Sequence, residues 1–231
     1  MRRPSLLIFV LFILLTGCYD GSNAAKVRIN LGNLPIAHNV QQNSIIDKFL
    51  TLFLKPAYAQ SAPGDVAAVH IGAFDINNQL LASESININQ FPANNTIEFE
   101  VPAGNDRTIV VLGEIATEGA YGTVYYIRYY GKADTDINNN NLDLKPGSDV
   151  TVSVSMGELY SALNPRPYDI LSRMEWDKIT GADKYNIYDG SQAYTTSVTE
   201  NFYVTTSGTH YVEANFAFIG KTSEQFSIFI C

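Results

Sequence analysis

Apolar and polar residues alternate along most of the chain. Val27, Ile29 and Leu31 fall on one side, and Lys26, Arg28 and Asn30 on the other. Period two over that length predicts a half-buried strand. Val69, Ile71 and Ala73 repeat the pattern, as do Ile86 and Ile88, and Asn77-Asn78 is a turn signal between the two runs. Ile97, Phe99 and Val101 alternate with Glu98 and Glu100, which must face water. Pro102-Ala103-Gly104-Asn105 predicts a turn, after which Ile109 and Val111 continue inward. Residues 124–130 predict a strand, and Val150, Val152, Val154 and Met156 alternate with Thr151, Ser153 and Ser155. Short strands between turn residues are the mark of an antiparallel sandwich. About seven such strands suffice to close a two-sheet core.

Two early segments break the alternation. In residues 44–55, Ile45, Ile46, Phe49, Leu50 and Phe53 recur at helical spacing. Ser44 with Asp47 resembles a capping box, and Pro56 stops the run. This helix either covers an open end of the sandwich or lies on a membrane surface. At the start, Arg2 and Arg3 precede an unbroken apolar run over residues 6–15, then Leu15-Thr16-Gly17-Cys18. A charged start, a short apolar stretch and small residues before a cut describe an export signal. The run is shorter than the roughly 20 residues that span a bilayer. The last four residues resemble the lipobox of bacterial lipoproteins. That resemblance implies acylation of Cys18, removal of residues 1–17, and a place in the cell envelope. Tyr19 rather than aspartate follows the cysteine, which points to the outer membrane.

The middle of the chain carries Val101-Pro102-Ala103-Gly104, Arg107, Tyr129-Tyr130-Gly131, Ala133, Pro146-Gly147 and Met156. This series is similar to a sandwich module of other bacterial lipoproteins, one with no assigned chemistry. Prolines 165 and 167 mark a boundary. Beyond them come Trp176, then Gly181-Ala182 with Tyr185, Ile187 and Tyr188, then Tyr211-Val212-Glu213-Ala214, then Gly220 and Ser223. That order resembles a fibronectin type III domain, although its first strand is faint. The resemblance implies a scaffold or adhesive module, with Trp176 in its core. The expected fold class is therefore all-β: two antiparallel, immunoglobulin-like β-sandwich domains in tandem, with one short amphipathic helix inserted early in the first. The expected divisions are a signal over 1–17, a tether over 18–25, a sandwich over 26–157, a linker over 158–166 and a fibronectin-like domain over 167–231.

Composition narrows the function. The formal net charge is −8, and it becomes more negative once Arg2 and Arg3 leave with the signal. No basic stripe is present, so nucleic acid is a poor partner. The sequence holds 2 cysteines. With Cys18 acylated, Cys231 has no partner within the chain, which is an incidental thiol or an intermolecular bridge. The histidines His38, His70 and His210 stand in separate motifs without metal-ligand spacing. No G-x-S-x-G or H-E-x-x-H motif occurs, so no catalytic residue and no cofactor are expected. Asp134, Asp136, Asn138 and Asn140 resemble the start of a calcium loop. Asn139 stands in place of its glycine and Lys145 in place of its glutamate, and the segment is expected to be a polar loop. In residues 124–130, Tyr125, Ile127 and Tyr129 are expected to face inward. Tyr126, Arg128 and Tyr130 would then form an outward aromatic–cation–aromatic stripe. Such a stripe is the candidate ligand-binding site, for a protein or a glycan, because tyrosine offers apolar area and a hydroxyl at low entropic cost. A structural role in an envelope complex is the alternative.

Overall fold

The computed structural model describes residues 23–32, 66–92, 94–119, 122–138, 140–168 and 172–230. Cys18, the expected helix at 44–55, His38 and Cys231 lie outside the described residues. Within them the fold is all-β, as the alternation predicts, with short helical turns between strands.

Strand β1, Ala24–Leu31, points Ala25, Val27, Ile29 and Leu31 inward. Next come β2, Val66–Phe74; β3, Leu80–Asn87; a single 3-10 turn at Ile88–Gln90; and β4, Thr96–Pro102. Strands β5, Thr108–Gly119, and β6, Gly122–Ala133, form a long hairpin. Strands β7, Asp149–Val154, and β8, Gly157–Glu158, complete the first half. They build two sheets, one of order β4-β1-β7 and one of order β3-β2-β5-β6-β8. β1 pairs antiparallel with β4 but parallel with β7. The expectation of purely antiparallel sheets thus misses one pair. Parallel neighbours need a crossover connection, and the whole of β2–β6 lies between β1 and β7.

The segment expected as a linker is packed. After β8, helix α1, Leu159–Leu163, buries Leu159 and Leu163 completely, and Asn164 ends it in the left-handed conformation at φ 46°. Strands β9, Arg166–Tyr168; β10, Arg173–Glu175; β11, Lys184–Tyr188; β12, Tyr194–Val198; and β13, Phe202–Val204, follow. Then come β14, Gly208–Phe216; β15, Lys221–Thr222; and β16, Phe226–Ile230. They form a sheet of order β13-β10-β9 and another of order β12-β11-β14-β15, with β16 also pairing β14.

The five-stranded sheet is a shared middle layer. Val69, Ile71, Ala73, Ile109, Val111 and Ile115 pack with β1, β4 and β7 in one core. Phe74, Val110, Leu112 and Ile127 join a second core with α1, Trp176, Tyr185, Val212 and Phe216. From Ile109 to Ile115 every residue of β5 is buried, because both faces are covered. At about 25 cal/mol per Å² of apolar surface, such burial is the main force fixing the layers. Trp176 is fully buried with its ring 5.2 Å from that of Tyr185, whose hydroxyl accepts a 2.8 Å bond from the Ile179 amide.

Several residues of the sequence signatures prove to be packing devices. The Arg107 guanidinium donates to the Ala103 carbonyl at 2.7 Å and lies against Gly104, where a Cβ would meet its Nη2 at 2.0 Å. A Cβ on Gly131 would meet Val154 Cγ1 at 2.6 Å and the Ser155 carbonyl at 2.7 Å. Glycine is favoured at 104 by its φ of 150° and at 131 by the close backbone carbonyl. Ser223 is buried; its hydroxyl accepts from the Ala214 amide and donates to the Glu224 carbonyl.

Candidate functional site

Two β-bulges shape one end of the middle sheet. The β2–β5 register shifts between Val66 and Ala68, leaving Ala67 as an extra residue. The β5–β6 register shifts where Gly113 pairs Tyr129 and Glu114 pairs Ile127, leaving Arg128 as the extra residue. A bulge re-aims every side chain beyond it. The expected stripe therefore does not form. Tyr126 packs against the first core and Tyr130 against the second, on opposite faces of the sheet. Burial pushes the Tyr130 hydroxyl above its ordinary pKa, and the hydroxyl is bonded to Thr180. Arg128 reaches Glu158 at 3.7 Å. Period-two reading could not see this, because an inserted residue leaves no mark in an aromatic run.

An aromatic–cation–aromatic group does exist elsewhere. Arg173 on β10 lies over the ring of Tyr168 at 4.3 Å and that of Phe202 at 5.1 Å. Its guanidinium also pairs with Glu175. Three separate strands contribute, and no local sequence pattern joins them.

Between the two bulges lies a buried polar group. Glu114, opposite Ala68 and Ile127, has a side chain only 6% exposed. Its Oε2 is 2.8 Å from His70 Nε2, and its Oε1 is 3.2 Å from Lys221 Nζ. His70 Nδ1 is 2.8 Å from the Ser85 hydroxyl on the facing strand. With neutral His70, Nε2–H donates to the carboxylate and Nδ1 accepts from the hydroxyl, which satisfies both ring nitrogens. Lys221 comes from β15, so this group ties the middle sheet to the C-terminal strands. Its Nζ also lies 5.1 Å from the centre of the Tyr125 ring. Burying a carboxylate is costly unless it is paired and hydrogen-bonded, and here both oxygens are held.

The held carboxylate opens on a pocket of about 340 Å³, lined by Ala67, Ala68, Asn87, Asn89, Gln90, Glu114 and Tyr125. Ser85 and His70 do not line it. The sequence reading missed this site. Its legible signal was a single charge, Glu114, inside the apolar run 109–115, and a single histidine inside the run 66–74.

The remaining candidates are structural. The Asp136 carboxylate accepts from the Asn138 amide at 2.8 Å and the Asn140 amide at 3.0 Å, which holds its pKa down and closes a polar turn. Among the described residues no cluster of three or more His, Cys, Asp or Glu could hold a metal. His210 Nε2 is 3.0 Å from the Thr206 carbonyl and clasps its own loop. No helix among the described residues is long and apolar enough to cross a membrane.

Comparison with known proteins places the first half of the chain. The family described as fimbrillin-A associated anchor proteins Mfa1 and Mfa2 matches residues 34–166. No curated protein matches. Among solved structures, an adhesin candidate from Bacteroides ovatus is similar at 10% identity and TM-score 0.33, over 90% of this chain and 77% of that one. The fimbrial anchor protein Mfa2 from Porphyromonas gingivalis is similar at 14% identity and TM-score 0.30, over 88% of this chain and 82% of that one.

Proposed function

Since this chain belongs to the family of fimbrillin-A associated anchor proteins Mfa1 and Mfa2, we propose that it is a non-catalytic protein of the cell envelope that anchors or contacts a fimbrial protein. The family match over residues 34–166 is the observation that carries the reading. That segment includes the five-stranded sheet, and the same sheet forms one wall of the C-terminal core. A load applied to either half therefore reaches the other through packed side chains rather than through a loose connector.

In this proposal Cys18 bears the lipid. Each buried methylene contributes about 0.8 kcal/mol to membrane binding, so several acyl chains hold the protein without a spanning helix. Outer-membrane placement belongs to the same proposal. The C-terminal strands are proposed as a fibronectin type III-like sandwich, stacked in tandem with the first. The separate sheets β13-β10-β9 and β12-β11-β14 with β16, closing over Trp176, support that reading.

Radiolabelled palmitate tests the anchor. Label entering the wild-type chain, with none in Cys18→Ala, is the expected result. Affinity capture of the full chain from its own cells should then bring down a fimbrial protein in fixed ratio. A Cys18→Ala chain that stays in the membrane fraction, or capture without any fimbrial protein, contradicts the proposal. A second reading, adhesion to a surface ligand, is favoured by the pocket beside Glu114.

A further inference from the structure

We infer that the pocket beside Glu114 is a binding site for a neutral saccharide, a role that adds to the anchoring proposed above and depends on neither the lipid nor the fimbrial partner. Four features of the site point to this ligand class. First, Asn87, Asn89 and Gln90, three residues with carboxamide side chains, line the pocket. Each offers donors and an acceptor, the pairing that adjacent sugar hydroxyls require. Second, Glu114 also lines the pocket, and its carboxylate oxygens keep lone pairs free for a further donor. His70 at 2.8 Å and Lys221 at 3.2 Å fix its orientation before any ligand arrives. A preorganised acceptor loses little freedom on binding.

Third, Tyr125 lines the pocket and is 48% exposed. Its ring presents apolar area for the C–H face of a sugar and a hydroxyl at the rim. Fourth, the charge is balanced. Lys221 offsets Glu114, so the pocket favours neither a phosphate nor an ammonium group. The bulged Ala67 and its neighbour Ala68 carry small side chains, and the pocket has about 340 Å³. That is the size of a small-molecule site, with few polar groups placed at fixed positions.

The test uses the full chain in a detergent without a sugar headgroup. Calorimetry against soluble neutral oligosaccharides of glucose, galactose, mannose and N-acetylglucosamine should find one that binds at about millimolar Kd or tighter. Tyr125→Ala and Gln90→Ala, both at exposed positions, should each weaken that binding by about tenfold or more while the melting temperature stays near wild type. Tyr168→Ala, on the far C-terminal sheet, should leave it unchanged. Binding by none of the oligosaccharides, or binding undiminished in both pocket variants, overturns the inference. Palmitate labelling and capture of a fimbrial protein, read on the same preparations, report on anchoring alone, so either proposal fails without the other.

Discussion

Toward β1, β4 and β7 the middle sheet presents mainly apolar side chains, such as Val69, Ile71, Ile109 and Val111. Toward the C-terminal strands it presents Phe74, Val110, Leu112 and Ile127 together with the buried pair His70 and Glu114. The first face can tolerate any well-packed partner. The second fixes where its partner sits, because Glu114 is satisfied only when Lys221 of β15 arrives at one position. Apolar burial supplies the strength of both contacts; the polar group supplies the alignment of one. Further links repeat that alignment, among them the Phe74–Phe218 edge contact at 5.5 Å and the 3.2 Å bond from the Gly181 amide to Asn78.

The largest effect should come from the second core. Trp176→Ala removes its largest fully buried side chain and should cost about 3–5 kcal/mol. Thermal melting reads this directly, and an unchanged midpoint removes Trp176 from the core. The two faces are then compared by Ile29→Ala on one side and Leu112→Ala on the other, each costing about 2–5 kcal/mol. Both residues are fully buried. If the middle layer joins the cores, both variants shift the same transition. Two separable transitions, each responding to one variant, would break the comparison.

Lys221→Met sharpens it further. The variant keeps an apolar stem but leaves the Glu114 carboxylate with His70 alone, at a cost of about 1–3 kcal/mol. Hydrogen exchange should then rise across β15 and the facing part of β6, while β1 and β4 keep their protection. Equal loosening of both faces would contradict the assigned role. The smallest effect is alkaline. Tyr185 is pushed up to about 12 by burial, and Tyr188 to about 12 by burial and by the neighbouring Glu213. Unfolding returns them toward 10.0. Because the folded chain keeps these hydroxyls neutral, stability is full below pH 10 and falls as pH rises toward 12. Phenolate absorbance should show a late-ionising fraction that the Tyr185→Phe variant reduces.

The difference between the faces also marks what was legible. Alternation in β1, β4 and β7 located one wall of the first core, because each of these strands has a wet face. The exposed Lys26, Arg28 and Glu98 make ion pairs there, including Lys26–Glu98 at 2.5 Å. In β5 the alternation vanishes. Residues 109–112 are apolar without a break, which is how a strand buried on both faces reads. Such a run calls for a layer on each side, whereas alternation alone names only Ile109 and Val111 as inward and leaves the second layer unseen. The bulges at Ala67 and Arg128 were not legible at all, and the one at Arg128 moved Tyr126 and Tyr130 to opposite faces. Trp176 and Tyr185 were legible from local alternation, the first with Met174 and the second with Ile187. The pocket was not, since Asn87 and Gln90, Glu114, and Tyr125 come from three separate places in the chain.

Differential scanning calorimetry of the full chain tests the shared middle layer most directly. A sheet that walls both cores predicts one transition, with the calorimetric enthalpy equal to the van't Hoff value. Two resolved transitions, with the one carrying Trp176 fluorescence melting apart from the rest, would contradict it.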